Sequence, residues 1–141
     1  MWWRAREDRA SCNLAVDYKE SNIHPSILRE REAMAAKTPK IVKHILLTQF
    51  KDEVTREQID KHINAYTNLT ALIPSMKSFH WGTDLGMVPA GLNRGFTHAF
   101  ESTFESLAGF QEFLDSPALA AFAEVFKPCL SQRLVIDYFL H

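Results

Sequence analysis

The feature that most constrains the fold is the alternation of side chains between Phe96 and Phe104. Successive residues of a β-strand point to opposite faces, so every second residue of this segment shares a face. That face carries Phe96, His98, Phe100, Ser102 and Phe104. A face with so many aromatic rings has to be covered, and the segment therefore predicts a strand of a sheet that packs against other elements.

The first half of the domain is predicted to run strand, helix, strand. Residues 41–50 alternate as a strand that is largely apolar on both faces. Thr55 and Gln58 have the spacing of a capping box, which predicts a helix start, and Pro74 cannot continue a helical hydrogen-bond ladder. Residues 77–84 then alternate again, which predicts a second strand.

The second half is predicted to run strand, helix, helix, strand. After the strand that ends at Phe104, Ser106 can cap one helix, and Ser116 followed by Pro117 marks the start of another. Residues 133–140 close the domain as a strand. The order β-α-β-β-α-α-β predicts an α+β fold with a four-stranded antiparallel sheet and helices on one face. We expect the other face to be rich in aromatic side chains and to mediate self-association.

Composition excludes several classes of function. The net charge of -1 gives no reason to expect a nucleic-acid partner, and no apolar stretch approaches the length of a membrane helix. Cys12 and Cys129 lack the spacing of a zinc site or a secreted disulfide framework, so we expect a reducing, cytoplasmic location. Cys129 has no evident basic partner, and we expect an inert thiol. Residues 1–39 are interpreted as a poorly ordered N-terminal extension and residues 40–141 as the domain.

Several ordered phrases of the domain resemble one known family. They are VKHILLTQFKDEVT, NLTALIPSMKSFHWGTD, GFTHAFESTFES and LVIDY. They are similar to the stress-responsive dimeric A/B barrel (Dabb) family, in particular its plant branch, which includes a heat-stable stress and defence protein and olivetolic acid cyclase. The resemblance implies a ferredoxin-like fold in which two sheets meet across a homodimer as a dimeric α/β barrel, with a pocket between sheet and helices.

The activity of the cyclase does not carry over directly. The resemblance places Leu119 where the cyclase has a catalytic histidine, and Phe113 where it has a tyrosine. Leucine has no proton to exchange near neutral pH, so it cannot act as a general base. The resemblance therefore favours a non-enzymatic stress or defence protein that holds a small apolar or phenolic molecule. The alternative is a polyketide cyclase or lyase that uses His98 or His44 as the base.

The resemblance also implies which residues line the pocket and where a metal would bind. The pocket set is His44, Tyr66, His98, Phe113, Leu119 and Asp137. Among these, His98 is the polar group that we expect to orient a ligand, since its imidazole exchanges a proton near neutral pH. The resemblance places Asp137 where the cyclase has a residue that holds the catalytic histidine. This chain lacks that histidine, so we expect Asp137 to accept hydrogen bonds from backbone or a hydroxyl.

No cofactor is required by this interpretation. The family resemblance suggests a structural Mg²⁺, held by the main-chain carbonyls of Thr70, Ile73 and Met76. A helix C-terminus offers unpaired carbonyls and a partial negative charge, which suit a hard cation.

Overall fold

The computed structural model describes residues 24–37 and 40–141. Its elements, in chain order, are α1 (Pro25–Lys37), β1 (Val42–Phe50), α2 (Arg56–Leu72), β2 (Met76–Thr83), β3 (His98–Phe104), α3 (Leu107–Asp115), α4 (Pro117–Phe126), a 3-10 turn (Lys127–Cys129) and β4 (Leu130–Phe139). From β1 onward this is the predicted order. Residues 1–23, 38 and 39 of the predicted extension, Cys12 among them, lie outside the described residues.

The four strands form one antiparallel sheet in the order β2-β3-β1-β4. The central strand β1 pairs with β3 on one side and with β4 on the other. This confirms the predicted ferredoxin-like α+β architecture. None of the helices in the described ranges is long and apolar enough to cross a membrane.

The helix starts follow from local capping, as predicted. The Thr55 hydroxyl accepts from the Gln58 amide at 3.2 Å, and the Gln58 side chain accepts from the Thr55 amide at 2.9 Å, which completes the capping box. The hydroxyls of Ser106 and Ser116 cap α3 and α4 by accepting from backbone amides at 3.0 and 3.2 Å. Each cap satisfies a backbone donor that has no partner within its own helix.

Two strand starts differ from the prediction by more than one residue. Strand β3 begins at His98 instead of Phe96, because the Phe96 amide donates to the Asn93 carbonyl in a turn at 3.0 Å. In the same turn Gly95 has a φ of +85°, a left-handed conformation that glycine adopts without strain. Strand β4 begins at Leu130, opposite Phe50, because the 3-10 turn brings the chain back to the sheet early.

The prediction that the open face of the sheet is aromatic is wrong. Phe100 and Phe104 of β3 are 1% and 0% exposed, and they lie on the helix side together with Phe79 of β2. The open face instead carries alternate residues of β1 and β4, mostly aliphatic: Ile45, Leu47, Leu134, Ile136 and Tyr138. The Lys43 ammonium and the Glu101 carboxylate form an ion pair of 2.6 Å beside them.

Candidate functional site

A histidine and an aspartate meet at the junction of β1 and β4. His44 is completely buried, and its Nδ1 lies 2.5 Å from Oδ1 of Asp137, whose side chain is 29% exposed. The two residues are direct partners in the antiparallel register, so strand pairing itself brings them together. The expectation that Asp137 binds backbone or a hydroxyl is therefore wrong, because its partner is an imidazole that lies 93 residues earlier in the chain.

Two buried hydroxyl groups, those of Tyr66 and Ser102, lie beside this pair, and a third, that of Thr48, lies farther along β1. Tyr66 comes from α2, Thr48 from β1, and Ser102 from β3, where it lies opposite His44 in the strand register. None of these hydroxyl oxygens has a hydrogen-bond partner among the described residues. Buried polar groups nearly always have such a partner. Thr48 and Ser102 were not singled out from the sequence, although a polar residue on the apolar face of an alternating strand is the signal that would have found them.

The electrostatic environment of Tyr66 reflects its depth in the core. Burial raises the pKa of the Tyr66 phenol well above its usual value of 10, and the negative charge of Asp137 raises it further. The nearby Ser102 hydroxyl lowers the pKa of Tyr66, although the two hydroxyls do not reach the geometry of a hydrogen bond. Tyr66 is therefore a neutral phenol at any physiological pH.

The raised pKa of Tyr66 predicts a loss of stability in alkali. Above the ordinary tyrosine pKa of 10.0, the unfolded chain loses the phenolic proton while the folded protein keeps it. The free energy of unfolding should then fall with rising pH, by up to about 1.4 kcal/mol per pH unit from this group. We expect Tyr66→Phe to show a shallower fall than wild type in urea denaturation measured across that pH range. Equal slopes for the two proteins would contradict the prediction.

Aromatic rings enclose the polar cluster on the helix side. The His44 ring lies 5.6 Å from Phe110 and 5.7 Å from Phe113, and the Tyr66 ring stacks on Phe100 at 5.3 Å. Leu119 is also fully buried in the same hydrophobic core. We call the set His44, Tyr66, Ser102 and Asp137 the polar cluster.

His98 does not belong to the polar cluster. It pairs with Thr48 in the register, whereas Ser102 pairs with His44, so the two histidines are separated by four strand residues, or about 13 Å. His98 is half-buried between Phe50, at 5.1 Å, and the ring of Trp81, at 6.5 Å, and its Nδ1 lies 2.8 Å from the Thr97 hydroxyl. Burial lowers its pKa below 6.5, which leaves the imidazole neutral at pH 7.

The turn after α2 leaves lone pairs on two of the three carbonyls, those of Thr70 and Ile73, that the family resemblance suggests for a cation. Pro74 has no amide hydrogen, so the Thr70 carbonyl lacks the donor that a continuing helix would supply. The Ile73 carbonyl accepts from the Met76 amide at 3.0 Å and retains a second lone pair. Residues 24–37 and 40–141 contain no group of three or more His, Cys, Asp or Glu side chains that could hold a metal. Magnesium at these carbonyls stays a prediction.

A surface groove of about 570 Å³ lies near this turn and away from the polar cluster. It is open to solvent between the end of α2 and α3, and its lining includes Leu72, Pro74, Ala108 and Asp115. None of the residues of the polar cluster lines it. The groove and the cluster are separate features of the fold.

The arrangement of the polar cluster supports two kinds of chemistry. A carboxylate that holds one nitrogen of an imidazole orients the ring, which is how a general base is positioned. The hydroxyls of Tyr66 and Ser102 can donate to or accept from a carbonyl or phenol. The cluster is thus equipped to bind a small polar group inside an apolar enclosure, or to move a proton to or from it.

Comparison with known proteins shows which family the chain is similar to. A family model for the stress responsive A/B barrel domain matches residues 42–140. The chain is 48% identical over 97 residues to the stress-response A/B barrel domain-containing protein HS1 of Arabidopsis thaliana, which covers 69% of this chain and 87% of that protein. It is 36% identical over 97 residues to olivetolic acid cyclase of Cannabis sativa, which covers 69% and 94%.

Two solved structures resemble the fold over most of their length. The hydroxynitrile lyase from Passiflora edulis superposes with a TM-score of 0.69 at 41% identity and covers 74% of this chain and 96% of that one. A dimeric ferredoxin-like protein of unknown function from Thermobifida fusca superposes with a TM-score of 0.62 at 27% identity, over 73% and 93%. The sequence matches and the shared fold point to the same family, and the chain belongs to the stress-responsive A/B barrel domain family.

Proposed function

We propose that the protein is a homodimeric stress-response protein of the cytoplasm whose polar cluster binds a small apolar or phenolic molecule. The observation that carries the binding proposal is that the buried hydroxyls of Tyr66 and Ser102 have no hydrogen-bond partner among the described residues. An unsatisfied buried hydroxyl costs about 1–3 kcal/mol, and a ligand that supplies a donor or acceptor recovers this. The partly exposed Asp137 provides an approach from the edge strand β4.

The dimer is supported by the open face of the sheet. Three neighbouring side chains of β4 are about half exposed there: Leu134 at 44%, Ile136 at 54% and Tyr138 at 45%. A group of exposed apolar side chains favours burial against a second surface. The similar Thermobifida fusca protein is described as dimeric. A second copy of the same face would cover these residues symmetrically.

A matched pair of small molecules tests the binding proposal. Thymol is a phenol with apolar substituents, and para-cymene has the same skeleton without the hydroxyl. Titration calorimetry should show thymol binding more tightly, because its hydroxyl pairs with the cluster. We expect Tyr66→Phe to weaken thymol binding by about 3- to 10-fold, the value of one hydrogen bond.

Tyr138→Phe is the control for this titration, because Tyr138 lies on the opposite face of the sheet. It should leave thymol binding unchanged. Equal affinities for thymol and para-cymene in the wild-type protein, or an unaffected Tyr66→Phe variant, would remove the proposal.

The buried pair His44 and Asp137 favours one second candidate, an enzyme that abstracts a proton next to a carbonyl. The geometry supports His44 as the base in preference to His98, since His44 alone of the two is held by a carboxylate at 2.5 Å. Two similar proteins are named as a cyclase and a lyase, and these names also favour the enzyme candidate. Deuterium exchange at the α-carbon of acetophenone, followed by NMR, separates the two candidates. Exchange that His44→Gln abolishes and His98→Gln preserves would establish the enzyme.

A further inference from the structure

A cysteine and a histidine form a second pair that lies outside the polar cluster. Cys129 ends the 3-10 turn, and its Sγ lies 3.2 Å from Nε2 of His62 on α2. The expectation that Cys129 has no basic partner is therefore wrong. The partner lies 67 residues earlier in the chain, and the packing of α2 against α4 brings it to the thiol.

The backbone holds this pair in place. The Cys129 carbonyl accepts from the Lys51 amide at 2.9 Å, which ties the turn to the end of β1. The His62 ring packs against the buried Phe126 ring at 5.7 Å. The thiol also lies 3.5 Å from the Val125 carbonyl, so its hydrogen points either to that oxygen or to Nε2. Backbone contacts thus hold Cys129, and a buried ring holds His62.

The thiol has a proton acceptor within hydrogen-bond distance. Burial lowers the pKa of His62 below 6.5, so at neutral pH the imidazole carries a lone pair that can accept a proton. A neighbouring histidine is one of the features that make a cysteine nucleophilic.

The thiol is also within reach of small molecules. Cys129 is partly exposed, whereas its neighbour Leu130 is buried in the core. The pair lies on the helix side of the sheet, away from the open face through which the dimer is proposed to form. A second subunit on that face would leave the thiol accessible.

We propose that Cys129 is a reactive thiol activated by His62 and that it is a covalent modification site for small α,β-unsaturated carbonyl compounds. The thiol proton moves to Nε2 of His62 while Sγ attacks the β-carbon and forms a carbon–sulfur bond. The π electrons of the carbon–carbon double bond shift to the α-carbon, which takes the proton back from His62. The product is a thioether, and the step consumes no oxidant or reductant.

The rate of alkylation by N-ethylmaleimide tests this proposal. The background is the full chain with Cys12→Ser, which leaves Cys129 as the single thiol. Intact-mass spectrometry at neutral pH follows the addition of one maleimide. We expect His62→Gln to slow the reaction at least about tenfold, since general bases contribute effects of that order or larger. The matched variant His80→Gln, an exposed histidine on β2, should leave the rate unchanged.

A second measurement keeps the test independent of how well the variant folds. In the Cys12→Ser background, Cys129 of the folded protein should react faster than the same residue in guanidinium chloride, even though folding partly buries it. A slower reaction in the folded state would overturn the proposal, and so would a folded His62→Gln variant that reacts as fast as its parent. Neither result depends on thymol binding, so this proposal and the proposed ligand function fail separately.

Discussion

Replacing Ile136 with aspartate is expected to convert the proposed dimer into monomers. Ile136 lies on the open face of the sheet opposite Ile45 and is 54% exposed in the single chain. In a face-to-face dimer each copy would bury this side chain against apolar neighbours. A charge buried without a partner costs about 4 kcal/mol, which weakens association about a thousandfold. Sedimentation velocity or light scattering should show the loss of the dimer.

The control for this substitution is Val125→Asp. Val125 is 59% exposed, but it lies on α4 in the helix layer, where no dimer contact is proposed. It adds the same charge to a similarly exposed aliphatic position and should leave the dimer intact. An Ile136→Asp protein that remains dimeric would show that subunits meet through another surface.

Replacing Leu119 with alanine is expected to cause a large loss of stability. Leu119 on α4 is 0% exposed and lies within the aromatic core beneath the sheet. Removing its side chain loses transfer free energy and leaves a cavity, which together cost about 2–5 kcal/mol in the free energy of unfolding. Urea denaturation at one protein concentration measures this, since dimerisation makes stability depend on concentration.

Leu72→Ala provides a matched control for the core substitution. Leu72 lies at the end of α2 and is 58% exposed. Both changes replace leucine by alanine in a helix, so the intrinsic helix preference largely cancels. The exposed change should stay within about 0.5 kcal/mol of wild type. Similar losses at both positions would mean that Leu119 does not support the core as its burial indicates.

Local patterns predicted the elements of this fold well. The capping box at Thr55 and Gln58 requires residues only three positions apart, and the structure forms it as predicted. The alternation in β3 placed Phe100 and Phe104 on one face, and both are buried. Such features depend on neighbouring residues, so a single sequence contains the information that they need.

The partners of individual side chains were harder to predict. Asp137 binds His44, and Cys129 contacts His62, and neither pairing was foreseen. Each of these contacts joins residues from elements far apart in the chain. Their meeting depends on strand register and helix packing, and a shift of one residue in register would turn every side chain of a strand to the other face.

The resemblance to a family predicted a set of pocket residues, and the structure brings only some of them together. His44, Tyr66 and Asp137 come together, with Phe113 beside them, whereas His98 lies toward the other end of the paired strands. The strand residues among them, His44, His98 and Asp137, all alternate onto the helix side of the sheet. Sharing a face does not determine where along the strands two residues lie.

The sequence by itself determined the order of elements, their caps and the apolar periodicity of each strand, because these follow from residues within a few positions of one another. Only the tertiary structure decided that the open face of the sheet is aliphatic, that His44 holds Asp137, and that His62 faces Cys129. The physical reason is that register and packing select among faces and partners that local propensity leaves equivalent.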